Sequence, residues 1–562
     1  MDREIRRRVE KYRRDEAGPI ENQLIDELVG GELDRQEFIR RASIFGLGAG
    51  TMGLFLRYAG EDVAYGAPTA GVQKRGGTLR VGAPTVGSSF EPRLLREFGS
   101  LALVGVVGEY LTFSNQALQV RPALATSWRA NAALTVWTFQ IRRGVRFHNG
   151  KTLTADDVVA SFKQYLSVTP SEILSAIPNS LLAADGVRKT GPYTVQFRLK
   201  QPSNAFPQLV SQTTYQAIIQ PAAIANRPGT WVSSGMIGTG AFRFKSGTPN
   251  RRVELVRFPQ YWGGSAPLDG VVFTSYEGTA PQVLALRAGQ IDLCVQLSAQ
   301  EAAPFRNNSR FKVFTAPTAA HRMFGMRVDR EPFRDARVRR AVALTLNRPD
   351  IIQRILLGAG TLGNDSPFWS RYPSTDRSIK QRRQNLALAR ALLRAAGQEN
   401  LRFTLTTWNG LDHPDHAQAI QAFARQAGID ISLEVQSVGE YYGGGADYYA
   451  TTPWINRPAT LTEYGARGVP NLYITAAYMS DGIWNASHYS NPAFDAAAKQ
   501  YLGAAEIAAQ RRATKRMAGL LLRDTPVITD YFITYVTAGS SRVKNYFADG
   551  ISHVRCAKTF LS

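Results

Sequence analysis

Period-two apolar runs recur along this chain between amphipathic helical stretches, and that alternation limits the fold more than any other feature. Gly76-Gly77-Thr78-Leu79-Arg80-Val81-Gly82, Val136-Trp137-Thr138-Phe139-Gln140-Ile141 and Tyr193-Thr194-Val195-Gln196-Phe197-Arg198-Leu199 read as strands with one buried face. Val271-Val272-Phe273 reads as a buried strand. Between such runs, Thr154-Ala155-Asp156-Asp157 opens a helix: the Thr154 hydroxyl is placed to cap free amides, and Asp157 lies beside the positive end of the helix dipole. Residues 334–344 form a helix with Val338, Ala341, Val342 and Thr345 on one face, residues 386–396 a second stopped by Gly397, and residues 418–427 a third stopped by Gly428 ahead of a strand over 429–435. The class is therefore α/β with mixed sheets. No internal repeat occurs, and low complexity is confined to Gly443-Gly444-Gly445.

At 562 residues the chain is long enough for two or three domains. Its 67 basic against 45 acidic residues give a net charge of +22, a balance that suits an anionic ligand, an anionic surface or nucleic acid. The cations are scattered, and beyond the N-terminal region no basic run is interleaved with aromatics, so nucleic acid is not expected. Cys294 and Cys556 form no Cys-x-x-Cys pair and read as small apolar fillers, with pairing left to geometry. No Gly-x-Ser-x-Gly elbow, Walker loop, His-Glu-x-x-His or catalytic cysteine arrangement is present, so no enzyme class and no cofactor is indicated.

The N-terminus reads as an address. Arg40-Arg41 precedes Ile44 to Leu56, a Gly-rich, uncharged stretch too short to span a bilayer, and Ala64-Tyr65-Gly66 offers small residues for cleavage before Ala67. The paired arginine resembles a twin-arginine export signal, although Gln36 replaces the second arginine in the register of Asp34-Arg35, and the hydrophobics after Arg40-Arg41 stand one place off. With no cysteine near the cleavage region, a soluble periplasmic protein without a lipid anchor is expected.

Several blocks then resemble one family. Pro122-Ala123-Leu124-Ala125-Thr126-Ser127-Trp128, Trp137-Thr138-Phe139, Arg143 to Gly150, Leu153 to Val158, Ile237-Gly238-Thr239-Gly240-Ala241-Phe242, Tyr261-Trp262-Gly263-Gly264, Phe333 to Ala341 and Tyr489 to Asp495 agree in order and spacing with the extracellular solute-binding proteins of family 5, the peptide- and nickel-type receptors of ABC importers. The resemblance implies a two-lobed periplasmic-binding-protein fold, type II-like, with an extra domain inserted in the first lobe. Beyond the export region at 1–66, it places lobe I at 75–112, 235–315 and 533–562, the extra domain at 113–234 and lobe II at 316–532. It also implies a monomer that works with permease subunits of the inner membrane. Trp128, Trp137, Phe139 and Phe147 are expected as core aromatics, and Gly238, Gly240 and Gly263 as turn glycines needing backbone freedom. His148 and His488 lie inside these blocks and are expected to be structural.

The ligand is less determined. Peptide-binding relatives hold the ligand's amino terminus with an aspartate in a lobe II loop, and the loop taken as its counterpart, Trp454 to Thr460, carries no acid. The stretch Thr407 to Gly410 likewise lacks the arginine with which dipeptide binders hold a carboxylate. Trp408, Asn409, Tyr441, Tyr442, Trp454, Asn456, Trp484 and Asn485 offer aromatic planes and amides suited to a sugar, a peptide-like molecule or an amino-acid conjugate. Arg457 suits a carboxylate or phosphate, with a surface ion pair as its plainer role. Asp412-His413-Pro414-Asp415-His416 gives His413 and His416 as weak candidates for nickel or zinc, against the alternative of a helix N-terminus.

Overall fold

The computed structural model describes residues 3–60, 74–86, 89–95, 97–166, 181–443 and 448–562. The alternation yields one twelve-stranded mixed sheet that runs through both halves of the molecule. One half orders Phe242–Thr248, Arg252–Arg257, Gly270–Tyr276, Thr78–Pro84 and Leu293–Cys294, and the other orders Asp430–Gln436, Arg402–Trp408 and Ala459–Tyr464. Two long strands, Phe311–Met326 and Tyr531–Ser540, lie between them and pair antiparallel. Their register runs from Phe311↔Ser540 to Pro317↔Thr534, slips, and resumes at His321↔Phe532. Proline has no N–H to give a ladder. Past Pro317 the Thr318 hydroxyl donates to Ile533 O at 2.8 Å and accepts from Ala320 N at 3.0 Å, holding the strands together where the ladder lapses.

A separate four-stranded antiparallel sheet, in the order Ala125–Ala130, Val136–Ile141, Thr194–Leu199 and Leu182–Gly191, forms the inserted unit. Trp128, Trp137, Phe139 and Phe147 are all buried in its core as expected. The helix after Thr154 spans Ala155–Leu166, with Asp157 accepting from Thr154 N at 2.8 Å. The helix expected from Gln418 begins a turn earlier, at His413, because a proline in the first helical turn forgoes no intrahelical bond.

The glycine expectation is corrected. Gly238, Gly240 and Gly263 are absent from the positive-φ positions; they are required by close approach. A Cβ on Gly238 would lie 2.0 Å from Val107 O, and one on Gly240 2.4 Å from Val106 O. That approach brings Thr239 to Glu109, whose carboxylate also accepts from Tyr261 and Trp262 at 3.0 and 2.7 Å. Two sequence blocks thus meet on one carboxylate. Cys294 and Cys556 are buried free thiols, each pushed up to about 12 by burial.

Residues 3–60 form four helices, α1 (Arg3–Asp15), α2 (Pro19–Val29), α3 (Arg35–Ile44) and α4 (Ala49–Tyr58), packed on the body. A reciprocal cap between Asp34 and Glu37 starts α3. Arg40 donates to Ala117 O at 2.8 Å and to Arg371 O at 2.9 Å, so one side chain touches the inserted unit and the second half together. Arg41 is buried against Glu27 at 3.6 Å and donates to Gln510 at 2.8 Å and to Ala505 O. Phe45 stacks on Trp137, and Trp128 donates to Ile44 O. The expected cleavage point at Ala64 to Ala67 lies outside the described residues.

Arg41→Leu leaves the Glu27 carboxylate buried without its cation, a change that costs about 3–5 kcal/mol in comparable pairs. Limited proteolysis followed by mass spectrometry should then show residues 3–60 cut away while the body stays intact; the unaltered chain should resist.

Candidate functional site

The two halves meet along a seam beside the crossover strands. From the inserted unit, Ser203 to Gln220 forms one wall; from the second half, Gly465 to Tyr473, which follows strand Ala459–Tyr464, forms the other. Asn204 binds across the seam: its amide donates to Tyr501 O at 2.7 Å, and its oxygen accepts from Asn471 at 3.0 Å. Arg467 reaches over the Tyr215 ring, 4.5 Å from its centroid, and its Nη1 donates to the Tyr215 hydroxyl at 2.6 Å. Tyr372 donates to Arg467 O at 2.7 Å, and the Tyr473 hydroxyl reaches Gly465 O at 2.7 Å and Ala319 O at 3.0 Å.

Glycine is required here by space. A Cβ on Gly468 would lie 1.5 Å from Gln208 Nε2, and one on Gly465 2.1 Å from the Tyr215 hydroxyl. At the register slip, His321 is fully buried among Tyr464, Tyr473 and Phe532. Burial lowers its pKa to about 4, and its Nδ1 lies 2.9 Å from Ala319 O. Burial pulls the Arg467 pKa down, but Tyr215, Tyr473 and Tyr535 around it outweigh that and leave it raised.

The residues singled out from sequence fall in three places. Trp408, Tyr441, Tyr442 and Trp454 form one aromatic cluster in the second half, with Tyr442 6.0 Å from Trp408, 6.0 Å from Trp454 and 4.8 Å from Tyr441 by ring centroids. Tyr441 donates to Leu461 O, and the Tyr442 hydroxyl lies 3.0 Å from Thr462 Oγ1, so the cluster braces the strand leading into the seam. Trp484 stacks on Tyr464, while the Asn485 amide donates to Met479 O and Tyr489 O as a local brace. Asn456 donates to Thr452 O, and Asn409 is exposed, its backbone paired with Gln436. Arg457 is exposed and pairs with Glu434 at 3.3 Å.

His413 and His416 part company. His413 Nδ1 lies 3.0 Å from Gly410 O beside the Trp408 ring, and burial holds its pKa well below the usual imidazole value. His416 lies 2.9 Å from Asp530 and 3.2 Å from the Tyr531 hydroxyl. The nearby carboxylates face arginines: Arg322 is paired with Asp412 and, at 2.7 Å, with Glu463; Arg348 with Asp365 and Asp530; Arg382 with Asp365. Among the described residues no group of three or more His, Cys, Asp or Glu is set to hold a metal. His148, whose Nε2 lies 3.0 Å from Gly240 O, is part of the scaffold.

Sequence reasoning missed Arg467, Tyr215, Tyr473 and His321. The one local signal was an arginine fenced by small residues, Gly465-Ala466-Arg467-Gly468, directly after a strand. Gly468→Val should hold the seam apart, since the Gln208 side chain fills the space a Cβ would take. Small-angle scattering should then give a larger radius of gyration than that of the unaltered chain.

The family model for bacterial extracellular solute-binding proteins, family 5 (middle region) matches residues 119–468, more than half of the chain. The nickel-binding protein NikA of Staphylococcus aureus is 25% identical over 452 residues, covering 78% of this chain and 85% of that protein. Among solved structures, the periplasmic binding protein DppA of Helicobacter pylori in complex with the peptide STSA aligns with a TM-score of 0.72 at 23% identity, covering 87% of this chain and 98% of that one. AgaA of A. tumefaciens R10 in complex with agropinic acid aligns with a TM-score of 0.73 at 20% identity, covering 86% and 99%. At these identities the structures establish a shared fold.

Proposed function

Because the chain belongs to family 5 of the bacterial extracellular solute-binding proteins, we propose that it is the receptor subunit of an ABC importer. It captures a small polar organic solute, peptide-like, an amino-acid conjugate or a sugar, in the seam between its halves and hands it to the membrane permease. The observation that carries this reading is the seam itself: Tyr215 and Gln208 from one half face Arg467 and Tyr473 from the other, across two strands whose register slips at the crossing. Closure of such halves takes a ligand out of water and strengthens each polar contact to it. An organic solute is favoured over a metal because His413 and His416 serve separate partners in the second half. The relatives bracket the choice, since NikA is a nickel-binding protein while the two solved complexes hold a peptide and agropinic acid.

The protein acts as a monomer in the periplasm, and the first 66 residues direct its export. With Arg40 and Arg41 buried once the chain is folded, the export machinery has to meet this segment before it docks. The N-terminal mass of periplasmic material should start near Ala67; an intact Met1 chain confined to the cytosol would count against export.

Thermal unfolding and small-angle scattering across peptides, sugars, amino-acid conjugates and metal ions test the receptor reading. A true ligand at 100 times its Kd stabilises the fold by about 2.7 kcal/mol and shifts scattering toward the closed seam. Steady product formation from a bound compound, or stabilisation by metal ions alone, would overturn it.

A further inference from the structure

We propose that Arg467 anchors a carboxylate of the solute, so that the seam selects an anionic organic molecule; this rests on the receptor reading above. The guanidinium uses one nitrogen for the protein: Nη1 donates to the Tyr215 hydroxyl at 2.6 Å and to Ala466 O at 3.0 Å. Nε is buried and meets no acceptor, and Nη2 has no protein acceptor among the described residues. No carboxylate pairs with Arg467 among the described residues either. The unfilled Nε–Nη2 edge presents two parallel N–H groups, the geometry that a carboxylate accepts bidentately.

A buried N–H without an acceptor is destabilising, and a desolvated cation without a counter-charge is more so. Glu463, four residues upstream, is held by Arg322 at 2.7 Å. Gly465 and Gly468 bear no side chain, which lets the Tyr215 hydroxyl and the Gln208 amide come up beside Arg467, and the Tyr215 ring supplies a plane from the opposite wall. A single cation with a single free edge suits a monoanionic carboxylate; a phosphate dianion calls for more positive groups than stand here. His321 Nε2 is a second buried atom without a partner in the same seam. With Nδ1 directed at Ala319 O, Nε2 carries the lone pair and accepts an O–H or N–H from the solute. The class is therefore a carboxylate that also carries a hydroxyl or amide donor, such as a sugar acid or an N-acyl amino acid.

The test uses the full chain and a panel of sugar acids, N-acyl amino acids and short peptides, each beside its methyl ester or amide, with neutral sugars and sugar phosphates as further arms. Thermal shift finds the binders and calorimetry gives Kd. Carboxylates should bind, and their esters should bind about 30-fold or more weakly, in line with the loss of one partner from a buried charge pair. Arg467→Gln should lose the same factor for the acids and little for the esters. Arg467→Lys, which keeps the charge without the fork, should lose an intermediate factor and guards against a variant that fails to fold. Equal affinity for acid and ester, unchanged affinity in Arg467→Gln, a preference for phosphates, or no binding by any carboxylate would each overturn the anchor. Tight, stabilising binding of a neutral sugar or peptide amide would do so while leaving the receptor reading standing.

Discussion

Everything in this molecule hangs on the pairing of Phe311–Met326 with Tyr531–Ser540. The two strands belong to both halves of the sheet, so the angle between the halves is the angle these strands allow. Backbone hydrogen bonds on either side of the slip hold each half firmly to its own end of the pair. Between Pro317 and His321 the hold passes to one threonine hydroxyl. A ladder that lapses for a few residues can change its dihedral angles without breaking paired bonds elsewhere, which is what a hinge requires. His321 and Phe532, the first pair after the slip, are also the floor of the seam, so the slip and the seam share residues.

The second half is kept in one arrangement by charge. From Glu463 through Arg322, Asp412, Tyr531, His416, Asp530, Arg348 and Asp365 to Arg382, each group lies within hydrogen-bonding or ion-pairing distance of the next. Buried ion pairs contribute little net stability against an apolar core of the same shape, because desolvation offsets attraction. Their geometric demand is strict, however. Arg322 sits on one crossover strand and Tyr531 on the other, so the network ties both to helix His413–Arg425 and fixes the wall that carries Arg467. Asp412 is held well below the usual carboxylate range: burial opposes ionisation, and Arg322 more than reverses it.

What could be read from sequence was what periodicity and spacing encode. The strands near Thr78, Val136 and Thr194 appear where alternation put them, the apolar run at Val271 lies in strand Gly270–Tyr276, and the core aromatics Trp137 and Phe139 are buried, because period-two burial is a local property. Gly238 and Gly240 were legible as special but not for the right reason: their need comes from Val106 and Val107, more than a hundred residues away. Asp412 to His416 looked like a donor cluster because sequence shows neighbours along the chain, whereas Arg322, Asp530 and Tyr531 reach it through the sheet. The seam was invisible for the same cause. Tyr215 and Arg467 are separated by 252 positions, and neither stands in a periodic or motif-bearing stretch.

The arginines of this chain sort themselves by how their donors end. Arg339 is buried and gives its donors to the carbonyls of Phe333, Arg334, Asp524 and Thr525, so it serves as a local cross-tie. Arg322 and Arg348 end on carboxylates, Arg41 on a carboxylate, an amide and a carbonyl, and Arg40 on the carbonyls of two different units and the Gln36 side chain. Each of these explains its own burial. Arg467, half-buried, differs, since the fold fills one nitrogen and leaves Nε without an acceptor. Arg41 Nε and Arg348 Nε also lack a hydrogen bond but face carboxylates at 3.6 and 3.3 Å, whereas Arg467 Nε faces none among the described residues, and an acceptor arriving from outside is the partner proposed for it.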